Sequence, residues 1–443
     1  MSEIKNIEND LENFIKKEEE IIEEEIKEGE DYLKKLGPGL ITGAADDDPS
    51  GIATYSETGA KFGTGLIWLS IWTLPFMITI QEMCARIALV TGNGLASNIK
   101  HLYKKEMLYV ITILLLITNS FNIGANLGMM ANAIQLIIPN IPFSLLVIFI
   151  GIICLILPMI IPYKKYARYL KWLVITLFSY IITGFMIDMD WSILFKNALI
   201  PQISFSKDYI LLITAILGTT ISPYLFFWET SQEVEEEIAE GKTTVHKRRG
   251  TNILEVKKMR MDIWTGMFLS NIIMFFIIAV SANTLFVNGI TSIDSASDAA
   301  LALKPFAGNL ASLLFSIGII GTGLLAIPVL ASSTSYAISE SFGWKEGLYR
   351  KFKKAKAFYF IIMFSIIVGI FTNFIGLHPI KALIYSAIIN GIIAPIIIFF
   401  IVQISSNHKT MGHYKNGKLS KFIGWLAIIL MSITAIATIV ALI

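Results

Sequence analysis

Apolar stretches of about twenty residues, the length an α-helix needs to cross a bilayer, recur along the 443-residue chain between short polar connections. They predict eleven spans, near residues 38–61, 64–90, 107–138, 144–161, 168–187, 208–230, 261–286, 306–340, 357–376, 380–404 and 419–442. The third and eighth are longer than a bilayer requires and should tilt or project beyond it. Two spans are interrupted. In the first, residues 44–53 read Ala-Ala-Asp-Asp-Asp-Pro-Ser-Gly-Ile-Ala. Pro49 removes a backbone donor and Gly51 loosens the chain, so nearby carbonyls lack helical partners. Carbonyls beside a carboxylate form a cation site of hard oxygen ligands, and carboxylates at membrane depth persist mainly where they line a cavity or meet a cation. In the sixth span, Leu217-Gly-Thr-Thr-Ile-Ser-Pro-Tyr-Leu225 sets Pro223 behind Thr219, Thr220 and Ser222. Breaks at corresponding places five spans apart indicate an inverted repeat of five helices with a site at its interface.

Charge fixes the expected orientation. Connections after even-numbered spans hold 24 Lys and Arg residues, among them Lys164, Lys165, Arg168 and Lys171, whereas the opposite side holds five: Lys61, Lys196, Lys207, Lys304 and Lys381. The positive-inside rule then puts the amino terminus in the cytosol and the carboxyl terminus outside. Residues 1–35 carry thirteen acidic residues and six lysines and read as an acidic cytosolic tail, a solvated helix or arm. The chain is 54% hydrophobic and 16% charged, which excludes an ordinary soluble domain. Its net charge of +2 gives no sign of a nucleic-acid partner. Cys84 and Cys154 both lie in apolar segments, so neither a disulfide framework nor a cysteine zinc site is expected. All five histidines fall in connections or at their edges, which argues against a histidine-based membrane enzyme. No cleavable signal peptide is present.

The run Gly37-Pro-Gly-Leu-Ile-Thr-Gly-Ala-Ala-Asp-Asp-Asp-Pro-Ser-Gly-Ile-Ala-Thr-Tyr55 resembles the first-helix signature of the NRAMP family of divalent-metal transporters, closest to the NRAMP-related magnesium transporter branch. Ser222-Pro-Tyr-Leu-Phe-Phe-Trp-Glu229, followed by Gln232-Glu-Val-Glu-Glu-Glu237, resembles that branch's sixth helix, and Met411 to Trp425 its last loop and helix. The resemblance covers everything after the acidic tail. It implies an all-α integral membrane protein, a LeuT-type 5+5 inverted repeat with broken first and sixth helices and eleven transmembrane helices. Repeat one would span 36–190 and repeat two 205–404, with an extra helix at 419–443, together the transporter domain 36–443.

Departures from the manganese and iron members of the family decide the expected cargo. Their Asp-Pro-Gly-Asn is replaced by Asp48-Pro49-Ser50-Gly51. The resemblance therefore puts the metal-binding aspartate at Asp48 and replaces a ligand asparagine by Gly51, which has no side chain. The family's methionine before the sixth-helix proline becomes Ser222, exchanging soft sulfur for hard oxygen. The helix-interrupting carbonyls of the family's site correspond to Ala45 and Thr219. Loss of two side-chain ligands should enlarge the cavity for a small, hard ion that keeps its waters, which points to Mg²⁺. The third span presents Asn119, Asn122, Ala125 and Asn126 where those members carry acidic residues, and Tyr224 stands where they carry histidine. None of these titrates near neutral pH, so no carboxylate–histidine proton relay can be assembled from them. The asparagines either bond the waters of a hydrated ion or, with Gly124 and Gly128, pack helices together.

Secondary candidates for the ion path are Asp47, Tyr224, Asn122, Asn126, Glu229 at the inner mouth, and Asn390 near Pro395. Asp46 and Asp47 add negative field, or one of them faces a neighbouring helix or the inner vestibule. Glu57 and Glu82 lie at membrane depth, Glu82 one turn before Arg86, where an i,i+4 pair accounts for it. The acidic run Glu233–Glu240 reads as a solvated loop. The expected function is uptake of hydrated Mg²⁺ by alternating access without proton coupling. The alternatives are a proton-coupled Mn²⁺/Fe²⁺ transporter and a Mg²⁺-gated channel or sensor. No enzyme activity and no cofactor is expected, since the metal is cargo. The expected partners are the ion and the bilayer; the sequence leaves the oligomeric state open, with a monomer plausible.

Overall fold

The computed structural model describes residues 37–160 and 175–443, all of them helical or connecting, with no strand among them. The acidic tail, the start of the fifth span and the basic residues Lys164, Lys165, Arg168 and Lys171 lie outside the described residues. The principal helices are α1 Pro38–Asp46, α2 Pro49–Phe62, α3 Leu74–Thr91, α4 Lys105–Ile137, α5 Phe143–Ile160, α6 Phe178–Met186 and α7 Lys207–Thr220. They continue as α8 Pro223–Ala239, α9 Ile253–Thr284, α10 Ala311–Phe342, α11 Lys356–Thr372, α12 Pro379–Ser406 and α13 Lys418–Leu442. Among the described residues, eight segments are long and apolar enough to cross a membrane, the pair α7–α8 counting as one. The broken pair α1–α2 and two shorter apolar helices, Ile175–Met186 and Lys356–Thr372, take the other three expected positions.

Both prolines open the second half of a broken span. Pro49 begins α2 and Pro223 begins α8, where a missing N–H costs nothing because the first turn has no acceptor for it. The helices therefore stop before the prolines, at Asp46 and Thr220, and restart on them.

A zipper of small and polar residues braces the first half-helix. On α9, Asp262, Gly266 and Ser270 recur every fourth residue and so share one face. Each meets α1 in turn. The backbone N–H groups of Gly39 and Leu40 donate to the Asp262 carboxylate at 2.7 and 3.1 Å, satisfying donors that every helix start leaves open. A Cβ on Gly43 would lie 2.3 Å from the Gly266 carbonyl oxygen, so the two backbones touch there. The Ser270 hydroxyl donates to Asp46 at 2.8 Å and to Asp47 at 3.2 Å. Farther along, Gly59 of α2 meets α9 at Ile278 and Ser281, so a single helix holds both halves of the break. Gly43→Ala should push α1 off α9 at a cost of roughly 1–3 kcal/mol. Thermal unfolding of the purified protein should show a clearly lower Tm than Gly417→Ala, where a Cβ meets nothing within 4 Å. Equal Tm values would show that α1 is not seated on α9 in this way.

Gly124 and Gly128 on α4 are packing residues. Added Cβ atoms would lie 2.5 Å from the Gly369 carbonyl and 2.4 Å from the Asn373 side chain. The opposite kind of surface covers α5 and α13, where Leu145, Phe149, Ile433, Ile436 and Val440 are exposed as a lipid-facing helix requires.

Three expectations need correction. The acidic run is not a solvated loop: α8 continues to Ala239, and Glu233 and Glu237 are buried. The seventh span begins earlier than expected, at Ile253, under an Asn252–Glu255 capping box. Glu229 is not at an open mouth but wholly buried, accepting the Thr42 hydroxyl from α1.

Candidate metal site

The two breaks face each other at the centre of the fold. The C-terminal ends of α1 and α7, where helix carbonyls run out of partners, meet the N-terminal ends of α2 and α8. Three contacts bridge the breaks. The Tyr224 hydroxyl donates to the Ala45 carbonyl at 3.0 Å, and the Ser50 and Thr219 hydroxyls lie 3.4 Å apart. The Thr219 hydroxyl also packs against Gly51, 3.4 Å from where a Cβ would stand.

Asp48 sits between them, fully buried, and acts as the N-cap of α2. Its Oδ1 accepts the Gly51 N–H at 2.9 Å and the Ser50 hydroxyl at 2.7 Å. Its Oδ2 accepts the Asn126 amide at 3.2 Å. One carboxylate oxygen is thus used to start a helix, while the other faces α4 through a long hydrogen bond. The surroundings hold polar atoms that are buried without a hydrogen-bond partner: Asp46 Oδ1, Asp47 Oδ2, the Tyr55 hydroxyl, Asn126 Oδ1 and both amide atoms of Asn122. Buried polar groups are ordinarily satisfied, so this concentration marks a candidate polar site.

The asparagines of α4 divide by role. Asn119 donates to the Leu330 carbonyl and to the Ser333 and Thr334 hydroxyls of α10 and joins helices. Asn126 reaches Asp48, and among the described residues Asn122 has no hydrogen-bond partner. Asn390 on α12 is buried with its Oδ1 unpartnered, and among the described residues no hydrogen bond joins it to the breaks. Glu57 accepts the Ile293 N–H of the connection between α9 and α10 at 2.7 Å. Glu82 pairs with Arg86 at 2.8 Å and with Arg260 at 2.8 Å, as the i,i+4 spacing implied.

The carbonyls expected to be free are engaged in this conformation. Ala45 accepts Tyr224, and Thr219 accepts the Ser222 hydroxyl at 2.7 Å, which Ser222 also gives to Gly218 at 2.7 Å. Nor is there an enlarged cavity at Gly51: a Cβ would meet the Asp46 carbonyl at 3.1 Å and the Tyr55 ring at 3.3 Å. The tyrosine ring occupies the space an asparagine side chain would need. Among the described residues no three His, Cys, Asp or Glu side chains are arranged to hold a metal ion. An ion here would be held by at most two carboxylates, together with carbonyls, hydroxyls and water. Ala45, Asp48, Thr219 and Ser222 are each no more than 2% exposed, so the breaks are shielded from solvent.

Sequence reasoning missed Asp262, Ser270 and Thr42. The four-residue spacing of Asp262, Gly266 and Ser270 was a usable signal, matched by Gly39 and Gly43 on α1. Thr42 carried none.

Paired half-helices that meet at the centre of the fold, with a buried carboxylate between them, define a LeuT-type fold. The chain matches the family model described as natural resistance-associated macrophage protein-like (Nramp) over residues 39–441. It belongs to the Nramp family, whose members are membrane transporters rather than enzymes. It is similar to the divalent metal cation transporter MntH of Caldanaerobacter subterraneus subsp. tengcongensis, 25% identical over 89% of this chain and 90% of the relative. MntH of Pectobacterium carotovorum is 21% identical over 90% and 92%. Among solved structures, a manganese transporter of Eremococcus coleocola superposes with a TM-score of 0.73 at 18% identity, covering 93% of this chain and 87% of that one. Mhp1, a nucleobase-cation-symport-1 family transporter in a closed conformation, gives 0.55 at 13% identity over 92% and 91%.

Proposed function

We propose that this protein carries divalent metal cations by alternating access, and that its cargo is hydrated Mg²⁺ taken up without protons. The relatives' names speak for divalent metals in general, and MntH and the manganese transporter favour Mn²⁺ as the second reading. The observation that carries the magnesium reading is the all-oxygen lining. Asp48, Ser50, Thr219, Ser222 and the Ala45 carbonyl bond to one another and to hydroxyl and amide groups, and among the described residues no thioether or imidazole is among their partners. Such a set offers nothing that prefers Mn²⁺ or Fe²⁺ by softness and suits an ion that dehydrates reluctantly.

Asp48 would supply the charge, with Ala45, Thr219 and Ser222 offering oxygen and Gly51 leaving room once Tyr55 turns away. Asp47, Asn122, Asn126 and Tyr224 would contact the ion's waters. We assign 36–443 as the transporter domain and 1–35 as a cytosolic tail, with the carboxyl terminus outside, on the charge asymmetry of the connections. The paired half-helices support a carrier over a gated channel or sensor.

A +2 ion gains about 4–5 kcal/mol per 100 mV of inside-negative potential, enough to drive uptake alone. In proteoliposomes, Mg²⁺ influx should therefore rise when a potassium diffusion potential makes the lumen negative, and fall when the potential is reversed. Influx indifferent to the potential would contradict an uncoupled electrogenic carrier.

A further inference from the structure

Beyond the break, α8 carries a row of buried carboxylates that the Asp48 site does not use. Glu229, Glu233 and Glu237 stand four residues apart on one face, and they are 0%, 6% and 2% exposed. At about 1.5 Å per residue the rungs are roughly 6 Å apart, so the row spans roughly 12 Å and its last rung lies roughly 22 Å along the helix from Ser222. Lys242 pairs with the last rung, Glu237, at 3.3 Å. Among the described residues neither Glu229 nor Glu233 has an ion pair. Glu229 Oε1 and Glu237 Oε2 are buried with no hydrogen-bond partner. Buried carboxylates without a counter-charge are costly in a membrane protein and persist where a cation passes.

Helix α1 covers the first rung. The Thr42 hydroxyl donates to Glu229 Oε2, and the start of α1 is tied to α9 through Asp262. Lifting α1 would break the Thr42 bond and free the second Glu229 oxygen, making the carboxylate nearest the Asp48 site available as the site opens.

We infer that Glu229, Glu233 and Glu237 form a stepwise path for a hydrated divalent cation between the Asp48 site and the aqueous phase on the side where α1 begins, with Thr42 as its latch. Mg²⁺ commonly binds through one or two carboxylates and retains its waters, so neighbouring rungs suffice, and a three-carboxylate cage is not needed. The inference rests on the proposed function only in taking the cargo to be a divalent cation.

Equilibrium dialysis of the purified full-length protein against Mg²⁺, paired with proteoliposome uptake, tests it. Glu229→Gln/Glu233→Gln should lose one bound Mg²⁺ relative to wild type, keep the ion that depends on Asp48, and slow uptake at least tenfold. Glu229→Asp/Glu233→Asp, which keeps the charge, should recover most of both, separating loss of the path from loss of the fold. Asp48→Asn should retain the ladder ion. Unchanged binding and uptake in the double Gln variant would overturn the path. A double Gln variant that loses its ion while Asp48→Asn binds as wild type would support the path and instead refute the Asp48 site.

Discussion

Asp48→Asn should abolish metal uptake in proteoliposomes, by about a hundredfold or more, equivalent to about 2.7 kcal/mol of lost cation stabilisation, while the protein remains folded. The geometry explains why the two effects separate. Asparagine caps a helix about as well as aspartate, so its side-chain oxygen can still accept the Gly51 N–H and the Ser50 hydroxyl. Its amide group would then replace the oxygen that now faces Asn126. Asn126 can turn its own unpartnered Oδ1 toward that donor. The substitution removes the negative charge and little else. Wild-type uptake by a variant with unchanged thermal stability would move the site to Asp47 or Asp46, each of which also has a buried oxygen without a partner.

Ser222→Met together with Gly51→Asn should exchange the preferred cargo. The thioether is a ligand for Mn²⁺ and Cd²⁺ and a poor one for Mg²⁺, and the asparagine narrows the space for a hydrated ion. The double variant is expected to lose Mg²⁺ transport and to bind Mn²⁺ or Cd²⁺ at least tenfold more tightly, about 1.4 kcal/mol. Two local costs follow from the structure. Removing the Ser222 hydroxyl releases the Gly218 and Thr219 carbonyls. A Cβ at Gly51 requires Tyr55 and the Asp46 carbonyl to give by a few tenths of an ångström. Titration calorimetry should therefore be read beside a melting curve for each single variant. A stable double variant that still carries Mg²⁺ and gains nothing for softer ions would show that selectivity lies elsewhere.

The broken helices were legible because an apolar run tolerates Pro, Gly and carboxylates together only where the helix opens around something polar. Pro49 and Pro223 do open the second halves of their spans. The α4 packing glycines were legible for a similar reason, since small residues at four-residue spacing admit a second backbone. The acidic stretch was misread because hydropathy falls sharply there. Glutamate is nevertheless a good helix former, so α8 outruns its apolar segment, and only tertiary packing shows that Glu233 and Glu237 are buried. The engagement of the Ala45 and Thr219 carbonyls was invisible because it depends on where the Tyr224 and Ser222 hydroxyls point once four half-helices have met. Asn119, Asn122 and Asn126 were alike in sequence, and their separation into a helix joiner, an unpartnered amide and an Asp48 partner follows from which neighbour lies opposite each turn of α4.

The most direct test of uncoupled magnesium transport follows Mg²⁺ and lumenal pH together in the same proteoliposomes, with a metal indicator and a pH dye sealed inside and Mn²⁺ supplied in a parallel set. Mg²⁺ should enter under an inside-negative potential with no acidification of the lumen. Exclusion of Mg²⁺ while Mn²⁺ enters, or a proton signal rising in fixed proportion to the metal, would contradict uncoupled magnesium uptake, and both together would establish a proton-coupled manganese carrier in its place.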